Sequence, residues 1–164
     1  MSTPHFYKAR CRLGLQYKPI RATEVNVGVE YGPDAVLSSD FLKQFPDASV
    51  SELICTPPED ITGDYITTAL KEYRALRDLI YQTLVPNERQ VVIGGDHSIS
   101  LPSAAAALAR TKDVSQFGYL HIDSHGDINQ AAGSPTGNFH GMYLRPLFDK
   151  FELSGVDELV PTKL

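Results

Sequence analysis

A short β-branched run, Val91–Ile93, constrains the fold of this chain more than any other feature. It ends at two glycines and is followed by a helix-forming segment, Leu101–Arg110, which is rich in Ala and Leu and has a proline in its first turn. A buried strand that leads into a helix is the repeating unit of α/β folds. Asp96 and His97 then lie where the strand ends, which is the side of a parallel sheet where ligands bind.

The alternation of strand and helix continues along the chain. Apolar residues at helical spacing predict a helix over Tyr65–Leu84. Alternating or apolar runs predict strands at Cys11–Tyr17, Val50–Cys55 and Phe117–Asp123, and a short helix follows the Gly-Pro break at 32–33. This order of elements predicts an α/β fold with a parallel sheet. No linker or repeat interrupts the pattern, so it predicts a single domain over residues 1–164.

Composition narrows the classes of partner. The chain has 164 residues, of which 42% are apolar, and this is enough for the core of one domain. A net charge of -5 without a Lys/Arg cluster argues against nucleic acid and anionic membranes as partners. No segment reaches the about 20 apolar residues of a membrane-spanning helix, and the amino terminus lacks a secretory signal. We therefore expect a cytoplasmic protein. Cys11 and Cys55 indicate neither a disulfide framework nor a thiolate zinc site.

The stretch HIDSHGDIN places Asp123, His125 and Asp127 at alternate positions. If the backbone stays extended, all three side chains point to one face. A divalent cation would relieve the repulsion between the two carboxylates, and ligands that include no thiol favour Mn²⁺ or a similar ion over structural zinc. The alternative is a polar strand end that faces solvent. His121 has the same parity but lies deeper in the strand, which is typical of a buried, hydrogen-bonded histidine rather than a ligand.

Two further segments carry polar side chains. His97 is a candidate ligand, and Asp96 would either orient its ring or hold the loop. The preceding glycines otherwise make a plain turn, because no phosphate-binding motif follows them. In SPTGNFHGM, Thr136, Asn138 and His140 suit a loop that hydrogen-bonds a small polar ligand, with a histidine that carries protons near neutral pH. Alternatively, this is an ordinary surface loop.

In order, GGDHS, DSHGDIN and SPTGNFHGM resemble the motifs of the ureohydrolase superfamily, and the last is more similar to arginases than to agmatinases or formimidoylglutamases. GVEYGPDAV is similar to the early substrate-side loop of this superfamily, and the resemblance extends to Phe148. It implies a three-layer α/β/α fold with a mostly parallel sheet and two Mn²⁺ ions at its carboxyl edge. It also implies hydrolysis of a guanidino group, in which a metal-bridging hydroxide converts L-arginine to L-ornithine and urea.

The resemblance also implies a role for each matched residue. The metal ligands would be His97, Asp123, His125 and Asp127. Asp123 would bridge the ions, His97 and Asp127 would bind one of them, and His125 would bind the other and face the substrate. Asp127 would also hydrogen-bond the hydroxide, and His140 would shuttle a proton. The α-carboxylate of the substrate would be held by Asn129, Thr136 and Asn138.

The sequence departs from the superfamily in three places. Ser124 replaces a common Ala, and Tyr143 stands where arginases often have Pro. The later motif D-x-D-x-x-D-P, which supplies the other bridging aspartates, does not occur before Leu164. We therefore expect a domain that is incomplete at its carboxyl end, with an uncovered apolar face and little activity alone.

Two alternatives to the interpretation of this sequence as an arginase remain open. One is an enzyme of the agmatinase or formimidoylglutamase type. The other is a non-catalytic protein that keeps half of the site and acts as a regulator or partner subunit. The superfamily commonly forms trimers or hexamers, so a homo-oligomer with a small guanidino substrate is expected.

Overall fold

The sheet is built from three parallel strands in the order β2-β1-β3, which are β1 (Thr3–Arg10), β2 (Ser49–Ile54) and β3 (Glu88–Gly94). This computed structural model describes residues 2–15 and 27–164. Parallel neighbours require crossover connections, and helices lie in each of them. The helices are α1 (Gly32–Val36), α2 (Ser39–Leu42), α3 (Tyr65–Thr83), α4 (Ser100–Arg110), α5 (Arg145–Phe148) and α6 (Val156–Leu159). The predicted α/β fold with a parallel sheet is confirmed.

Helices pack on both faces of the central strand β1. On one face, the hydroxyl of Tyr7 is 3.0 Å from Thr83 Oγ1 at the end of α3. On the other face, the ring of Phe6 packs edge-on against Phe41 of α2, at 5.7 Å between centroids, and against Phe45, at 5.5 Å. Successive side chains of a strand point to opposite faces, so β1 separates two helical layers. The architecture is therefore α/β/α.

The helix α3 supplies much of the core. It begins after Asp64, whose carboxylate accepts a hydrogen bond from the Thr67 amide at 2.8 Å, and it ends at Thr83, one residue before the predicted end. Its inward face repeats every three or four residues and consists of Ala69, Leu70, Tyr73, Leu76 and Ile80, all buried. Among the residues described, no helix is both long and apolar enough to cross a membrane.

The junction between β3 and α4 leaves no room for side chains at its two glycines. A Cβ atom on Gly94 would lie 2.0 Å from Ile99 Cδ1, and one on Gly95 would lie 2.3 Å from the carbonyl oxygen of Cys11. Neither glycine has a positive φ. Close packing against backbone therefore requires Gly95, whereas the nearest atoms that a Cβ on Gly94 would meet belong to the Ile99 side chain.

The strand predicted at Cys11–Tyr17 is wrong. The first strand is Thr3–Arg10, and a 3-10 turn at Leu13–Leu15 follows it, while Gln16 and Tyr17 lie outside the described residues. The face of β1 that carries Phe6 also carries basic side chains that pair with acids from other elements; Arg10, for example, is 2.8 Å from Asp34. Those partners are distant in sequence, so the alternation of β1 did not stand out as a buried strand.

The segment Phe117–Asp123, predicted to be a strand, pairs with no strand among the described residues. Its exposure alternates as in a strand, and the side chains on the outer parity include Leu120, which is 84% exposed, and Ile122, which is 87% exposed. A segment becomes a β-strand only if it can form hydrogen bonds with the edge of a neighbouring strand, even when its side chains alternate as in a strand. Two large apolar side chains are therefore exposed in this segment, and the predicted strand is not found among the described residues.

Candidate metal centre

Asp96 fixes the loop that carries His97 at the carboxyl end of β3. Its Oδ1 atom accepts a hydrogen bond from the Ser98 amide at 2.9 Å, and its Oδ2 atom accepts one from the Gly14 amide at 3.0 Å. The Asp96 amide donates to the carbonyl of Cys11 at 3.1 Å. Of the two roles predicted for Asp96, these bonds support holding the loop, because they join the chain after β1 to the chain after β3.

Three of the four predicted metal ligands converge beyond this edge of the sheet. His97, Asp123 and Asp127 each offer a ligand atom, and these atoms all lie within 4.8 Å of one another. The side chain of Asp127 is 4% exposed, that of Asp123 is 23% exposed and that of His97 is 43% exposed. The group is thus open to solvent on the His97 side and closed beneath Asp127.

The backbone brings the two aspartates together through a bend. Asp127 has a φ of 48°, in the left-handed region that few non-glycine residues occupy. The prediction that Asp123 and Asp127 share a face assumed an extended backbone, and this assumption is wrong. Strain of this kind persists only where the surrounding structure maintains it.

The buried oxygen of Asp127 provides a test of whether a cation fits. Its Oδ2 atom is buried and has no hydrogen-bond partner, although His97 Nε2 approaches to 3.2 Å and His121 Nε2 to 3.5 Å. A buried carboxylate oxygen without a donor is costly, and a divalent cation coordinated by oxygen and imidazole nitrogen removes that cost. The residues present therefore fit a metal ion.

His121 and Tyr143 support this group from beneath. His121 Nε2 lies 3.0 Å from the carbonyl oxygen of His125, so Nε2 carries the proton and donates. Its Nδ1 atom then accepts from the hydroxyl of Tyr143 at 3.1 Å. Burial raises the pKa of Tyr143, so this hydroxyl stays protonated. Tyr143 was noted in the sequence only as a departure from the superfamily; nothing in the sequence pointed to its contact with His121.

His125 is placed differently from the other predicted ligands. Its side chain is 81% exposed, and it lies outside the group of three; Nδ1 is 3.1 Å from Ser124 Oγ. The backbone amide of His125 donates to Asp123 Oδ1 at 3.0 Å and lowers the pKa of that carboxyl group. The assignment of His125 to a second ion and to the substrate stays a prediction.

His140 lies beside the metal group. Its ring centroid is 5.0 Å from that of His97, and its Nδ1 atom is buried without a hydrogen-bond partner. Burial lowers the pKa of His140, so the ring is neutral near neutral pH. A neutral imidazole can accept a proton, and the role of His140 as a proton shuttle stays a prediction.

The three predicted carboxylate-binding residues lie on the loops around His140. The amide of Asn129 donates to the Gly141 carbonyl at 3.2 Å. Thr136 Oγ1 accepts from the Asn138 amide at 3.2 Å, which leaves its hydroxyl proton free for an outside acceptor. The structure therefore brings Asn129 next to Gly141, which follows His140, and the contact of Asn129, Thr136 and Asn138 with a substrate stays a prediction.

The family of the chain follows from comparison with known proteins. The model of the Arginase family matches residues 14–159. The chain belongs to the arginase family. An arginase of Entamoeba histolytica is 33% identical over 134 residues, which are 77% of this chain and 45% of that protein. An arginase of Brevibacillus brevis is 29% identical over 126 residues, 71% of this chain and 41% of that protein.

Solved arginase structures share the fold of this arginase-family chain. A structure of Entamoeba histolytica arginase in complex with L-ornithine superposes with a TM-score of 0.77 at 25% identity, covering 100% of this chain and 54% of that one. Arginase from Bacillus caldovelox superposes with a TM-score of 0.73 at 22% identity, covering 93% and 51%. The chain thus spans about half the length of the relatives that it matches.

Proposed function

We propose that this chain carries part of a Mn²⁺-dependent site that hydrolyses a guanidino compound, with L-arginine as substrate and L-ornithine and urea as products. The observation that carries the proposal is the convergence of His97, Asp123 and Asp127 around a buried carboxylate oxygen without a donor. Membership of the arginase family supports guanidino hydrolysis as the reaction that this metal group serves. When bound, Mn²⁺ supplies hydroxide near neutral pH by lowering the pKa of water.

In this proposal, residues of the chain bind the ion, transfer a proton and contact the substrate. His97, Asp123 and Asp127 would hold the ion, and His121, which is itself held by its bond to Tyr143, packs beneath them with Nε2 3.5 Å from Asp127 Oδ2. His140, whose buried Nδ1 has no partner, takes up a proton beside the site and delivers it to the leaving amine. His125 is exposed enough to meet a second ion and the substrate.

Substrate preference rests on the loop near His140. The free hydroxyl proton of Thr136 and the side-chain amides of Asn129 and Asn138 are donors suited to an α-carboxylate. Agmatine lacks this carboxylate and would leave these donors unpaired. We therefore place L-arginine ahead of agmatine and other amidines.

A second candidate is a non-catalytic half-site protein that regulates or joins another subunit. It is favoured by the exposure of Leu120 and Ile122, which are 84% and 87% accessible beside the metal group. Apolar side chains exposed to this extent in one segment are typical of a surface that meets another polypeptide.

Mn²⁺ titration by calorimetry, followed by urea release from L-arginine and agmatine, tests these proposals. The arginase proposal requires Mn²⁺ binding by this chain, and urea release from L-arginine in excess of that from agmatine by a protein that carries this chain together with the rest of the arginase length. Binding without urea release favours the half-site protein. Absence of Mn²⁺ binding would overturn both.

A further inference from the structure

A second cluster of reactive side chains lies at the amino-terminal edge of the sheet, away from the metal centre. His5 of β1 is central to it: Nε2 is 2.9 Å from Ser51 Oγ of β2, and Nδ1 is 2.9 Å from Glu88 Oε2 of β3. The side chains of His5 and Glu88 are 6% and 11% exposed, and Ser51 is half-buried. We call these three residues the Ser51 cluster.

The carboxylate of Glu88 is held in its ionised form. Besides His5, it accepts hydrogen bonds from Ser49 Oγ at 2.8 Å and from the Val85 amide at 3.0 Å. These bonds, chiefly that of the Val85 amide, lower the pKa of Glu88 from 4.5 to about 2. Glu88 is therefore a hydrogen-bond acceptor only, throughout the range in which proteins are usually stable.

The carboxylate of Glu88 determines which nitrogen of a neutral His5 ring carries the proton. Because Glu88 accepts, Nδ1 of a neutral His5 ring carries the proton and donates, and Nε2 presents its lone pair to Ser51. The hydroxyl of Ser51 then donates to Nε2. The Tyr7 ring stacks on His5 at 4.3 Å between centroids with 10° between planes, and so fixes the orientation of the imidazole.

A hydroxyl, an imidazole and a carboxylate joined in this order form the arrangement that activates a serine. Each link lies within the hydrogen-bond range of about 2.6–3.2 Å that such sites require, and the arrangement is recognised by geometry rather than by the order of residues in sequence. β2 is an edge strand among the described residues, so its outer side carries backbone amides that no described strand pairs.

We propose that Ser51 is a base-activated nucleophile and that the Ser51 cluster reacts with small activated carboxylic esters. Ser51 Oγ forms a bond to the acyl carbon while its proton moves to His5 Nε2. The bond from that carbon to the ester oxygen breaks, and the alcohol leaves with the proton from His5. Water then attacks the acyl group by the same route, releases the carboxylic acid and restores the hydroxyl. The reaction uses no metal and is independent of the proposed arginase activity.

The test uses the whole chain with a metal chelator present, and it combines p-nitrophenyl acetate with an alkyl fluorophosphonate. The fluorophosphonate forms a P–O bond to a nucleophilic serine with loss of fluoride, and mass spectrometry of the peptides locates the adduct. We expect an adduct on Ser51 and a burst of p-nitrophenol. Ser51→Ala should abolish both, whereas the control variant Ser39→Ala, at an exposed position on α2 outside the Ser51 cluster, should retain both.

His5→Gln provides the second readout. Loss of the base should slow labelling of Ser51 by about 100-fold if His5 acts as a general base. Circular dichroism establishes that each variant is folded. The proposal is overturned if the folded wild-type chain gives no adduct on Ser51, or if His5→Gln labels Ser51 at the wild-type rate.

Discussion

His97 Nε2 lies 3.2 Å from Asp127 Oδ2, and that oxygen is buried without a hydrogen-bond donor. Two residues from different loops thus meet around an acceptor that the protein itself does not satisfy. An ion that binds here gains the coordination of Asp127 and also relieves the cost of burying it.

Asp127→Asn tests this relationship directly. The amide keeps the shape of the side chain but is a poor ligand, so Mn²⁺ affinity should fall by more than the roughly 10–100-fold that loss of an outer partner costs. The variant removes a buried charge, so the free energy of unfolding without metal should not decrease. Calorimetric titration and urea denaturation measure the two effects. His125→Ala, at an 81% exposed position outside the group, should leave the first Mn²⁺ bound as in the wild type.

Tyr143→Phe tests the support beneath the metal group. The change removes the donor to His121 Nδ1 without altering the ring. We expect Mn²⁺ affinity to fall by about 10-fold, and the free energy of unfolding to fall by about 1 kcal/mol. Tyr81→Phe is the control, because Tyr81 is 50% exposed on α3. Equal Mn²⁺ affinity in the two variants would show that the bond to His121 does not position Asp127.

Gly95→Ala tests the close packing at the end of β3. Its Cβ would lie 2.3 Å from the carbonyl oxygen of Cys11 and 3.0 Å from backbone atoms of Glu30, and backbone cannot move aside as a side-chain tip can. We expect a loss of about 1–3 kcal/mol in the free energy of unfolding. Gly63→Ala, where nothing lies within 4 Å, should change it by less than about 1 kcal/mol. Urea denaturation of both variants makes the comparison, and similar losses would contradict the steric argument.

Glu88→Gln tests how the free energy of unfolding depends on pH in the acid range. The pKa of Glu88 is lowered in the folded state, from 4.5 to about 2, so its ionised form stabilises the fold. This stability is complete above the unfolded pKa and is lost as the pH falls through the folded one. The difference in unfolding free energy between wild type and variant should therefore shrink as the pH falls from 4.5 to about 2. Denaturation curves across this range measure it, and a difference that does not change with pH would contradict the assignment.

Local patterns were enough to predict the elements whose signals are local. The helix α3 follows from apolar spacing, and the strand-to-helix junction at His97 follows from a β-branched run before a proline-led helix. The motifs around these elements also identified the arginase family.

Features that depend on distant partners were not predictable in this way. The alternation of β1 includes Lys8 and Arg10, whose stabilising partners are Asp34 and Glu52. Phe117–Asp123 has the composition of a strand, but pairing depends on a neighbouring edge. The link between Tyr143 and His121 joins residues 22 positions apart. Tertiary contacts determine each of these, and no pattern within one segment encodes them.

The bond from the Gly14 amide to the Asp96 carboxylate spans 82 positions of sequence and ends one residue before His97. Whatever displaces the His97 loop must lengthen or break this bond, and the Gly14 proton then exchanges with solvent at a different rate. The chemical shift and hydrogen-exchange rate of this single amide therefore report a displacement of the His97 loop from a position outside the metal group.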